Sequence, residues 1–143
     1  MARGSKSQMK SLSEYGVKIG QAFQIQDDIL GSFGDESVTG KASDGDIREG
    51  KKTMLVIEAL RLGKTEQKKT LERLLGYDQI TDEEVEKVRA IFRESGALES
   101  ADRIMKRLLH EGQISLDKAS PPFKEPYKQF LLELSEFLVK RNY

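Results

Sequence analysis

Residues 21–31 read QAFQIQDDILG, and the fold turns on how this stretch is wound. At about 100° per residue, Ile19, Ala22, Phe23, Ile25, Ile29, Leu30 and Phe33 share one broad apolar face. Gly20, Gln24, Asp27, Asp28 and Gly31 fall on the opposite stripe. The period is helical, and it predicts a helix from about Ser11 to Phe33. One feature of the polar stripe is unusual. Neither Asp27 nor Asp28 has a Lys or Arg three or four residues away, although such pairs stabilise a solvated helix face by a few tenths of a kcal/mol.

Outward from this helix the pattern stays helical. GSFGDESVTGKASDGDIREG is dense in Gly, Ser and Asp and reads as a loop; at about twenty residues it is long enough to be functional or disordered. KKTMLVIEALRLG opens a second helix ending at Gly63, and TEQKKTLERLLG a third, with Thr65 as N-cap and Gly76 as stop. In TDEEVEKVRAIFRESG, Thr81 and Glu84 form a capping box and Gly96 closes the helix. A further helix runs from about Ala97 to Ala119 with a bend expected near Gly112, and a last one follows Pro121, Pro122 and Pro126. No strand pair and no repeat is visible. The expectation is an all-α helical bundle, with residues 1–10 a flexible leader and 11–143 a single domain.

Composition narrows the chemistry. The 143 residues hold 24 Lys and Arg against 24 Asp and Glu, so no global field draws in nucleic acid or an anionic membrane. Without Cys there is no disulfide framework, thiolate metal site or cysteine nucleophile, and one histidine, His110, is too few for a histidine-built metal site. No apolar run approaches the ~20 residues of a membrane span, and MARGSKSQMK is no secretory signal, which makes the cytoplasm the expected compartment.

Charge is segregated along the chain. Between Lys18 and Lys41 there is no cation, only Asp27, Asp28, Asp35 and Glu36; then come Lys41, Arg48, Lys51 and Lys52. Adjacent carboxylates without a competing cation can hold Mg²⁺, which takes one or two of them and fills its shell with water and phosphate oxygens. A Gly-rich loop, lysines and a helix N-terminus near Lys51 suit the phosphates themselves. The same residues also describe a plain solvated helix face and an ordinary loop, and spacing alone leaves both readings open.

The ordered block FQIQDDIL (23–30), FGD (33–35), TGK (39–41) and GDIREGKKT (45–53) resembles the second aspartate-rich region of the trans-isoprenyl diphosphate synthases, the farnesyl and geranylgeranyl diphosphate synthases among them. The resemblance is strongest from about Leu12 to Leu62. It implies the isoprenoid synthase fold, a helical bundle around a deep cavity, and a reaction in which an allylic diphosphate ionises with Mg²⁺ and isopentenyl diphosphate attacks the cation. By that resemblance Asp27 and Asp28 are Mg²⁺ ligands. Gln24 faces the substrate, Lys41 and Lys51 contact the allylic diphosphate, with Lys41 assisting catalysis, and Asp46 orders the loop.

Three departures qualify it, one being that the basic residues that bind isopentenyl diphosphate in the family's N-terminal half are absent. The motif would place a third aspartate at 31, where Gly31 stands. The first aspartate-rich motif, expected on an earlier helix, has no counterpart in MARGSKSQMKSLSEYG. We therefore read the chain as the C-terminal portion of such a prenyltransferase, inactive alone. Helices lacking their cavity partners should expose apolar surface and drive homo-oligomerisation. A non-catalytic helical scaffold or regulatory subunit is the alternative.

Overall fold

The computed structural model describes residues 4–34 and 43–139, and among these it is all-α. Among the described residues seven helices follow in order: α1 (Lys6–Phe33), α2 (Gly45–Arg48), α3 (Met54–Leu62), α4 (Thr65–Leu74), α5 (Asp82–Glu94), α6 (Ala97–Asp117) and α7 (Tyr127–Val139). Among the described residues, no helix is long and apolar enough to cross a membrane. Lys41, with Asp35, Thr39 and Gly40 of the quoted block, lies outside the described residues.

By contacts the described residues fall into two compact units, one holding residues 4–24 and 104–139, the other Ile25–Arg103. In the first, Tyr15, Ile19 and Leu116 form a buried cluster, with Leu109, Phe123, Leu131, Leu132 and Leu138 packed against it. The Tyr15 hydroxyl donates to the Leu131 carbonyl at 2.6 Å, which satisfies the polar tip of a buried ring. Helix α1 begins at Lys6, inside the stretch read as a leader. Ser5 is the reason: its Oγ accepts from the Gln8 amide at 3.1 Å and its own amide donates to Gln8 Oε1 at 3.0 Å, a capping arrangement that starts the helix early.

The second unit is built on α2–α5 with the C-terminal part of α1 and the start of α6. Helix α5 packs on α2, α3 and α4, and α3 also packs on α4. The apolar faces bury Ile29, Leu55, Leu71, Leu74, Val88 and Phe92 almost completely, each worth about 1.5–3 kcal/mol relative to exposure. The Thr81–Glu84 capping box forms, with both bonds at 3.2 Å. For α4 the expected N-cap is corrected by one residue: Lys64 holds that position and the Gln67 side chain accepts its amide proton at 2.9 Å, so Thr65 is already helical.

The loop reading of 31–50 needs a larger correction, because its second half contains α2. Arg48 fixes this short helix. It bonds Asp44 at 2.5 Å and the Ile80 carbonyl at 2.8 Å, and it pairs with Asp82 at the start of α5. At the end of α2, Gly50 (φ 65°) passes Gly76 (φ 72°) so closely that a Cβ on Gly50 would lie 2.8 Å from the Gly76 Cα. Only glycine fits that crossing.

One buried charge braces the unit. Glu58 of α3 is 5% exposed, and its Oε2 accepts from Arg61 at 2.6 Å and from the Ser100 hydroxyl at 2.6 Å. The Arg61 hydrogen bonds, helped by Ser100 and opposed by burial, lower its carboxyl below the ordinary range. A carboxyl lowered on folding stabilises the fold above its unfolded pKa, and that contribution is lost as pH falls through the folded value. Glu58→Gln should therefore cost about 1–3 kcal/mol at neutral pH and flatten the acid side of the stability profile, as read by urea unfolding at about pH 7 and about pH 3.5.

Candidate functional site

The residues singled out on α1 do not behave as one solvated stripe. Gln24 and Asp27 are exposed, whereas Asp28 and Gly31 are half-buried. Asp28 Oδ2 accepts the backbone N–H of Met54, the first residue of α3, at 3.0 Å. That amide has no partner inside its own helix, and the positive end of the helix dipole lies behind it. Asp28 thus finds in a helix N-terminus the partner that no nearby cation supplies. Thr53 caps the same turn, its side chain accepting from the Val56 amide. The helix N-terminus expected near Lys51 is therefore real, but it is aimed at an aspartate of α1.

Gly31 lies against Asp46 of α2. A Cβ at Gly31 would sit 2.5 Å from Asp46 Oδ2. The other oxygen, Oδ1, accepts from the Lys51 ammonium at 2.6 Å, and Glu49 Oε2 is 3.2 Å from the same nitrogen. The hydrogen bonds it donates to Asp46, then to Glu49, raise the Lys51 amine above the usual lysine range, so it is a cation throughout the neutral range. Of the residues expected to act together, the structure brings Asp28, Asp46 and Lys51 to neighbouring positions around α1, α2 and the start of α3. Gln24 stands on α1 one turn before Asp28.

Arg89 of α5 was not foreseen. Its Nε donates to the Ser32 carbonyl at 2.6 Å, and Nη2 donates to the Ser43 carbonyl at 3.0 Å and hydroxyl at 2.9 Å. One guanidinium so joins the end of α1 to the residue that leads into α2. Its partners lie 57 and 46 residues away in sequence, and no local pattern could have named them.

A model of the polyprenyl synthetase family matches residues 1–93. The chain belongs to this family. A short chain isoprenyl diphosphate synthase of Methanocaldococcus jannaschii is 36% identical over 143 residues, 100% of this chain and 42% of that protein. A geranylgeranyl diphosphate synthase of Saccharolobus solfataricus is 47% identical over 85 residues, 59% of this chain and 26% of the relative. Among solved structures, a geranylgeranyl pyrophosphate synthase of Corynebacterium glutamicum, complexed with isoprenyl diphosphate and magnesium, matches with a TM-score of 0.88 at 31% identity, covering 97% of this chain and 39% of that one. The chain thus spans about two-fifths of the relatives it matches, consistent with a fragment.

The donor set can be tested against the metal that this polyprenyl synthetase resemblance implies. Among the described residues no group of three acidic, histidine or cysteine side chains is placed to hold an ion. The exposed Asp27 and the half-buried Asp28 remain, a set that fits Mg²⁺ when other oxygens come from water and a diphosphate. The two carboxylates should separate on substitution. Asp28→Asn should lower stability by about 1 kcal/mol through its weakened bond to the α3 N-terminus. Asp27→Asn should leave the thermal midpoint unchanged in the same calorimetric scan.

Proposed function

We propose that this chain carries the second aspartate-rich half of a prenyltransferase that joins an allylic diphosphate to isopentenyl diphosphate. The observation that carries the reading is local. Asp46 of α2 lies against Gly31 of α1 and holds Lys51 of the α2–α3 link, while Asp28 of α1 holds the first amide of α3, all inside the stretch matched by the family model.

In this reading Asp27 and Asp28 hold Mg²⁺, which when bound supplies Lewis-acid neutralisation of the leaving diphosphate. Lys51 places a permanent positive charge beside the phosphate oxygens, where negative charge grows as the allylic C–O bond opens. By the family resemblance Lys41 does the same, and Gln24 orients the substrate by hydrogen bonding. Asp46 keeps the Lys51 ammonium from wandering on its flexible stem. The first aspartate-rich motif and the isopentenyl diphosphate site belong to the other half of the enzyme, so this chain alone is inactive.

The scaffold reading rests on Gly31, which stands where the motif would place a third aspartate. Turnover on adding the N-terminal half of a related synthase in trans overturns it; association without turnover supports it. Oligomerisation is supported by the apolar side chains left in solvent, Tyr127 at 70%, Phe130 at 61% and Phe137 at 71% exposure on α7. Light scattering should therefore give a mass above that of one chain. The decisive experiment for the site is titration calorimetry with inorganic diphosphate. Binding should require Mg²⁺ and vanish in Asp27→Ala/Asp28→Ala, and a chain that binds no diphosphate with Mg²⁺ present overturns the half-site reading.

A further inference from the structure

Gly31 departs from the aspartate that the family resemblance calls for, and its surroundings give that departure a use. The Asp46 carboxylate lies in the volume a side chain at 31 would fill: a Cβ there would be 2.5 Å from Oδ2 and 2.9 Å from Cγ, far inside contact distance. The aspartate cannot yield by bending a long stem, because it has only two rotatable bonds. Its backbone is fixed as well, since the Asp46 carbonyl accepts from the Lys51 amide at 3.0 Å. The two residues are therefore joined twice, by main chain and by the 2.6 Å ion pair. The carboxylate end of the pair is sheltered at 16% exposure while the lysine stays open at 53%.

We propose that Gly31 is a positioning residue: by leaving its side-chain volume to Asp46, it seats the carboxylate that aims Lys51 outward for a diphosphate. Asp46 takes from α2 the place that a side chain at 31 would have taken from α1. Any side chain at 31 turns Asp46 aside, breaks the hydrogen bond that Lys51 donates to Asp46 Oδ1 and leaves Lys51 to Glu49, a partner 64% exposed and farther away at 3.2 Å. The use of Lys51 for a diphosphate rests on the proposed function. The seating of Asp46 does not.

The two parts are measured separately on the whole chain. The ¹⁵N resonance of the Lys51 ammonium reports its ion pair, and Asp46→Asn calibrates the shift on losing it. Gly31→Ala should move that resonance toward the Asp46→Asn position. In an Asp46→Ala background, Gly31→Ala should move it no further, because the space is then empty. Alanine is the better helix former by about 1 kcal/mol, so α1 is not put at risk. With Mg²⁺ and inorganic diphosphate, Gly31→Ala should weaken binding about tenfold, as Lys51→Ala does, and be without effect once Asp46 is alanine. A Lys51 resonance unmoved by Gly31→Ala overturns the inference whatever the binding shows. If the resonance follows Gly31 but the unaltered chain binds no diphosphate, the seating stands and the prenyltransferase reading falls.

Discussion

A carboxylate of α1 sits on the first amide of α3, and the arrangement of the second unit depends on that bond. Asp28 and Met54 are 26 residues apart, so their 3.0 Å contact settles where the intervening chain must end. Between them the chain has to leave α1, form α2 and return. Three further contacts hold that excursion in place: Arg89 joins Ser32 to Ser43, Arg48 ties α2 to the start of α5, and Gly50 crosses Gly76. The two arginines satisfy polar backbone that folding would otherwise strand, and the glycine crossing lets the chain pass at close range.

The charge pattern follows from the same geometry. Within the stretch that has no cations, Asp28 is matched by backbone from elsewhere in the fold, and beyond it Asp46 is matched by a lysine. Asp28 has a helix N-terminus and Asp46 has Lys51, while Asp27 remains exposed. Such an arrangement suits a site for a doubly charged cation and a diphosphate. In the function proposed above, ligand charge of both signs would meet groups already ordered by the fold, with little reorganisation on its arrival. Membership of the polyprenyl synthetase family gives this electrostatic layout its most direct meaning.

How much was legible depended on the range of the interaction concerned. The apolar face of α1 was readable because Ile19, Ala22, Ile25, Ile29 and Leu30 recur at helical spacing, and all five are buried. The Thr81–Glu84 box was readable because both partners lie within one turn. The early start of α1 was signalled by Ser5 and Gln8 and passed over as leader, and α2 was hidden in a Gly- and Asp-rich run whose only local signal was the Asp44–Arg48 pair. Angle alone places Asp28 and Gly31 on the stripe opposite the apolar face, and angle does not say what lies against them.

The sequence by itself determined the helical class, the faces of the long helices and the family, because these rest on periodicity, local caps and an ordered run of residue types. The tertiary structure alone decided which partner each aspartate takes and why glycine stands at 31. Those outcomes depend on α2 and the start of α3 being folded back against α1. Contacts between residues 15 to 57 positions apart leave no periodic trace in the chain that makes them.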